Sequence, residues 1–191
     1  MKMRGWILVA MVVGTLVAVR ALAAGAAPAP APATAPATFK EVPWDDLVPK
    51  GWDPTKRFRE SKLGILSDSD PRMLQMMREM RETWDNAPTN SELDGAAVKL
   101  PGYVIPLEEA RGELKEFLLV PYFGACIHTP PPPANQIIHV IAVKPAKGFR
   151  MMDAVWVSGT LKTLRRDSVM GTSGYQMQAL VIERYVPPTR P

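Results

Sequence analysis

Leu114-Lys115-Glu116-Phe117-Leu118-Leu119-Val120-Pro121-Tyr122 is the stretch on which the fold turns. Phe117 to Val120 are apolar in a row, and successive strand side chains point to opposite faces, so the run suits a strand covered on both sides. Before it, residues 97–105 read as a strand interrupted by Pro101-Gly102, where a proline fits an edge or a bulge. After it come residues 136–143, with Ile137, Ile138, Val140, Ile141 and Val143, and residues 154–161, with Val155-Trp156-Val157 before Gly159. Residues 175–185 complete the series and alternate through Met177, Ala179, Val181 and Tyr185. Five short strands with turn signals between them predict a mainly β domain with one clear helix (α+β). The expected architecture is a small five-stranded antiparallel barrel, similar to the oligonucleotide/oligosaccharide-binding (OB) type, or a compact sandwich. No internal repeat is present.

The helix lies upstream. Asp70 is a good N-cap and Pro71 suits the first helical position. Met73, Met77, Met80 and Trp84 recur at helical spacing with Leu74 beside them, which predicts a face turned to the core. The helix ends near Asp85-Asn86, before Pro88. Further upstream, Trp44, Leu47 and Trp52 are expected to dock on the core, while Asp45 and Asp46 suit caps or turns.

The N-terminus reads as a secretory signal. Lys2 and Arg4 precede an apolar run, and Ala21-Leu22-Ala23 matches a small-x-small cleavage pattern. The apolar run is short for a spanning helix, which needs roughly 20 apolar residues. The expected organisation is a signal peptide over 1–23, an Ala/Pro-rich linker over 24–38 and a single globular domain over 39–191. A periplasmic location follows. Lys and Arg number 23 against 19 for Asp and Glu. Lys2, Arg4 and Arg20 leave with the signal, so the mature chain is close to neutral. It has no basic run with interleaved aromatics, so nucleic acid is not an expected partner.

The chemistry concentrates in Gly124-Ala125-Cys126-Ile127-His128-Thr129, followed by Pro130, Pro131, Pro132, Pro133, Ala134, Asn135 and Gln136. Cys126 is the one cysteine, so an internal disulfide is impossible. Thiolate and imidazole both bind zinc, and thiolate also favours cuprous ion. On an extended chain, donors at i and i+2 point the same way and can meet one ion. A closed tetrahedral site needs four ligands, so Cys126 and His128 want help from His139, an acid, water or a second copy across a two-fold axis. His139, between Ile138 and Val140, reads first as an ordinary half-buried residue and second as a candidate additional ligand. The prolines fix φ and stiffen a loop suited to a partner, with Asn135 and Gln136 able to donate and accept hydrogen bonds nearby. Two other readings stay open: a buried, structural Cys126, and a Cys–His nucleophile, which would also need an oxyanion pocket.

Gly102-Tyr103-Val104-Ile105-Pro106-Leu107, Glu116-Phe117-Leu118-Leu119-Val120-Pro121, the run from Gly124 to Gln136 and Val157-Ser158-Gly159-Thr160-Leu161 together resemble the bacterial domain-of-unknown-function family 3299. The resemblance covers roughly residues 40–186 and implies an exported bacterial protein. Some members of that group lie beside ABC-transporter components and other exported proteins in zinc-starvation operons. That association implies an accessory role in transport or the envelope, with zinc as the favoured metal. The resemblance assigns no chemistry to a residue. The expected function is thus a non-enzymatic periplasmic accessory protein binding a transition metal, or alternatively an OB-like interaction module with a structural Cys/His/Pro loop.

Overall fold

The apolar run around Leu118 forms β3 (Glu113–Val120), the second strand of a closed barrel. The computed structural model describes residues 38–53, 55–56, 70–110, 112–127 and 131–186. The expected signal peptide, nearly all of the linker, His128 and Pro130 lie outside the described residues.

The other barrel strands are β2 (Ala97–Ala110), β4 (Ile138–Lys147), β5 (Ala154–Lys162) and β8 (Tyr175–Arg184), within one or two residues of the expected starts. A two-residue strand, β1 (Lys40–Glu41), adds to β2 in parallel, and β6 (Arg166–Ser168) and β7 (Gly171–Ser173) form a small separate hairpin. The order around the barrel is β2-β3-β4-β8-β5, closed by β5 on β2. The expectation of a five-stranded OB-like barrel holds, but the barrel is mixed rather than antiparallel. A closed ring with an odd number of strands cannot alternate direction at every pairing. The one parallel pair falls between β4 and β8, where Ile138 faces Tyr175 and Val140 faces Met177.

β2 runs through Pro101-Gly102 without a break, because it is long enough to serve two neighbours. Leu100 pairs with Val157 on β5, and Val104 pairs with Leu119 on β3. Gly102 pairs with Val155 and stands next to Tyr103, the residue the two pairings share. A Cβ there would approach the Leu119 side chain to 2.7 Å, so only glycine lets β2 pass this close to β3.

Phe117, Leu119, Ile138, Val140, Val155, Val157, Tyr175 and Met177 fill the barrel interior. Tyr175 closes one end: its hydroxyl donates to the Leu47 carbonyl at 2.6 Å and accepts from the Asn90 amide at 2.5 Å. Those bonds fasten the short 3-10 turn Trp44–Leu47, which carries Asp45 and Asp46. Leu47 is buried and Trp44 packs against the same core, as expected; Trp52 is half-buried.

The helix α1 (Pro71–Asp85) starts on Asp70, whose side chain accepts from the Arg72 amide, and stops at Asn86. Its role differs from expectation. None of its residues is buried, and Leu74 and Met77 are 47% and 50% exposed. Met73, Met76, Met80 and Trp84 form the half-buried stripe instead. The barrel fills its interior from its own strands, so the helix covers the outside. Its C-terminus is held by Arg165, which donates to Asn86 Oδ1 at 3.0 Å and to the Asp85 carbonyl; a cation there also suits the helix dipole.

Candidate functional site

Strand alternation that sends Phe117 and Leu119 inward sends Leu118 and Val120 outward. With Ile105, Ala125 and Ile137 they make a second apolar cluster on the outside of the barrel. Such a cluster needs a cover. It receives one from loop residues that pack on it: Cys126, Met152 and Met170. Two of the three loops are tied together. The Gly124 amide donates to Met152 Sδ at 3.3 Å, and the Met152 amide donates to the Val104 carbonyl at 2.7 Å.

The cover is held under backbone strain. Cys126 and Met152 have φ of 64° and 65°, the positive values among non-glycine described residues. The left-handed conformation costs an L-residue about 1–2 kcal/mol, and both strained positions sit over the same cluster. The consequence shows in their neighbours. Ile127, Met151 and Val169, each adjacent to a covering residue, are 37%, 51% and 98% exposed, and Phe123 at the first loop's tip is 66% exposed. Phe123 stands edge-on to the Tyr103 ring, with centroids 5.8 Å apart.

Cys126 is half-buried and carries a free thiol. Burial pushes that thiol up to about 11, and the nearby Arg81 charge only partly offsets it. At neutral pH it is a protonated thiol, not a poised thiolate. At Cys126 the backbone is left-handed and not the extended conformation expected from the sequence. His128 lies outside the described residues. Among the described residues, no three His, Cys, Asp or Glu side chains gather closely enough to hold a metal ion.

The proline segment braces the fold. Pro132 is buried, and Pro131 and Pro133 are half-buried. They lead into a 3-10 turn, Ala134–Gln136. Asn135 is fully buried and its Nδ2 donates to the Pro88 carbonyl at 2.9 Å, while Gln136 Nε2 donates to the Trp44 carbonyl at 3.0 Å. The segment therefore clamps the N-terminal turn and the end of the helix connection to the barrel. Asn135 Oδ1 is buried without a partner among the described residues.

His139 sits apart from these groups in its bonding. It projects outward from β4, pairs with Leu118 in the ladder and is 6% exposed. Its Nε2 lies 2.5 Å from Glu116 Oε1 and its Nδ1 lies 3.4 Å from Gln176 Nε2. Both ring nitrogens are thus engaged by protein. Neither Glu116 nor Gln176 stands out in the sequence: they lie 23 and 37 residues from His139. The available signal was parity, since Glu116 shares the outward face of β3 with Leu118.

Two comparisons bear on the chain as a whole. The family model for DUF3299, described as a protein of unknown function, matches residues 44–184. The crystal structure of a DUF3299 family protein from Pseudomonas aeruginosa PAO1 is 37% identical, with a TM-score of 0.62; the match covers 78% of this chain and 97% of that one. Among curated proteins no significant relative is found.

Proposed function

The chain belongs to the DUF3299 family, and from that premise we propose that it is an exported, non-enzymatic binding module of the cell envelope whose barrel-end loops engage a protein partner. One observation carries the reading. Three loops each pack one half-buried residue on the outer cluster and expose the apolar residue beside it: Cys126 with Ile127, Met152 with Met151, and Met170 with Val169. Exposed apolar side chains brought together mark interaction surfaces. Two of these loops hold that arrangement against left-handed strain, and strain of this kind concentrates at functional sites. Export rests on the N-terminal apolar run and Ala21-Leu22-Ala23. Partners are to be sought among ABC-transporter components and other envelope proteins, with a second copy of the chain as a further candidate. The protonated Cys126 thiol supports a binding role over thiol catalysis.

The test compares the mature chain with a Phe123→Ser/Met151→Ser/Val169→Ser variant in capture from envelope extracts. A discrete partner, lost in the variant while its melting temperature stays within a few degrees, is the expected result. Equal capture by both chains would refute the loop surface.

A metal-binding reading has one observation in its favour. Cys126, Met152 and Met170 place three sulfur-bearing side chains around one cluster, and His128 follows Cys126 by two positions in the sequence; such a donor set suits a soft ion such as cuprous copper as well as zinc. Titration of the reduced mature chain with each metal, beside Cys126→Ser and His128→Ala, decides it. Stoichiometric binding lost in both variants supports the reading. The metal must displace the thiol proton, so affinity must rise with pH.

A further inference from the structure

A polar cleft of about 300 Å³ opens on the outer face of the barrel, floored by Glu116, His139 and Gln176 and roofed by the β6–β7 hairpin. It shares Leu118 and the hairpin with the loop surface, but Glu116, His139, Gln176 and Arg166 play no part in that reading. Its floor is unusually well fixed for a surface carboxylate. Glu116 Oε1 is held by a His139 side chain that is only 8% exposed, while Glu116 itself stays 35% exposed. Its second oxygen, Oε2, meets no partner among the described residues. With His139 Nε2–H donating to Glu116, Nδ1 accepts from the Gln176 amide nitrogen, which leaves the Gln176 carbonyl oxygen as a second free acceptor on the floor.

The rim carries both signs: Asp167 lines it, with its Oδ1 accepting from Thr172 and Arg165, and beside it stands a cation. Arg166, the first residue of β6, lines the same cleft; its backbone pairs with Ser173, whose hydroxyl donates to its carbonyl, and its guanidinium is bonded to no described residue. Arg166 and Glu116 form no ion pair, so the two charges face the cleft from separate places. Leu107 and Ile141 supply an apolar wall between them. A cation alone would leave the guanidinium unused. An anion alone would meet the Glu116 carboxylate. We infer that the cleft binds a small zwitterion with a short apolar body, of the class of a dipeptide, its ammonium on Glu116 and Gln176 and its carboxylate on Arg166. The volume lies at the lower end of ligand sites, which suits a ligand of that size. A carboxylate already pinned by a buried imidazole loses little freedom on binding, and a guanidinium is the side chain that matches a carboxylate with two parallel bonds.

The test titrates the mature chain with alanyl-leucine, N-acetyl-alanyl-leucine and alanyl-leucinamide, by calorimetry and by amide chemical shifts. The intact dipeptide is expected to bind and to shift β3, β4 and β8 signals. Each blocked form should bind roughly tenfold or more weakly, the worth of a charge-assisted hydrogen bond. Glu116→Gln should bring the intact dipeptide down to the acetylated form, and Arg166→Gln down to the amide. Both side chains are partly exposed, and Arg166 makes no side-chain bond to lose, so at least that variant keeps its fold. No binding of the intact dipeptide in the millimolar range, equal binding of the blocked forms, or binding that survives Arg166→Gln would each overturn the assignment.

Discussion

The inside and the outside of the barrel bury apolar side chains in different ways. Inside, Phe117, Leu119, Val140 and Met177 are brought together by ladder pairing, with Leu47 and Leu93 from two short 3-10 turns added at the edge. Outside, Leu118, Val120 and Ile137 are covered by loops, two of which hold a left-handed residue to do it. The interior is a consequence of closure. The outer cover is a shape imposed on loops, and its by-product is a set of apolar tips in solvent.

That contrast can be broken most sharply in the interior. Phe117→Ala, inside the ring, should cost about 3–5 kcal/mol, because the closed barrel cannot collapse around the gap. Urea unfolding gives the number. Leu118→Ala, one residue away and equally buried, should cost less, about 2–3 kcal/mol, since loops can settle where strands cannot. Equal losses at the two positions would mean that the outer cover is as rigid as the core.

A smaller effect lies in the Cys126 thiol. Its raised value predicts slow alkylation at neutral pH, with a rate that climbs about tenfold per pH unit up to about 11. A thiol raised in the folded state above the 9.0 of a free one favours folding fully below that value. This contribution fades as pH rises from about 9 to about 11, where the folded thiol also ionises. Unfolding midpoints across that window should fall less in Cys126→Ser than in the parent. Fast alkylation at pH 7 would place the thiol outside the cover.

The smallest effect is expected on the helix. Leu74→Ser and Met77→Ser should each change stability by less than about 0.5 kcal/mol, as surface substitutions do. A larger loss would mean that α1 has a covered face beyond the half-buried stripe.

These differences also set what could be read in advance. The five strands were legible because alternation and apolar runs are local properties, and the helix start was legible in Asp70-Pro71. The parallel β4–β8 pair follows from closure, a property of the whole ring that no single strand records. Spacing correctly found a stripe on α1 but put Met77 in it where the structure has Met76, and spacing could not tell a core from an outer wall. At the Cys126 segment, residue types suggested donors, yet the left-handed turn at Cys126 was invisible because cysteine is not a residue that announces positive φ. Glu116 and His139 meet only through strand register, which the bulge between Leu114 and Glu116 shifts further.

The measurement that bears most directly on the loop surface is photo-crosslinking in living cells, with a photoreactive residue placed in turn at Phe123, Met151 and Val169. A control is placed at Lys162, the exposed last residue of β5 and not one of the three tips. One partner, captured from all three tips and not from Lys162, is the predicted result. Crosslinks absent from the tips, or no different from the control, would contradict it and leave the strained loops as a cover for the outer cluster alone.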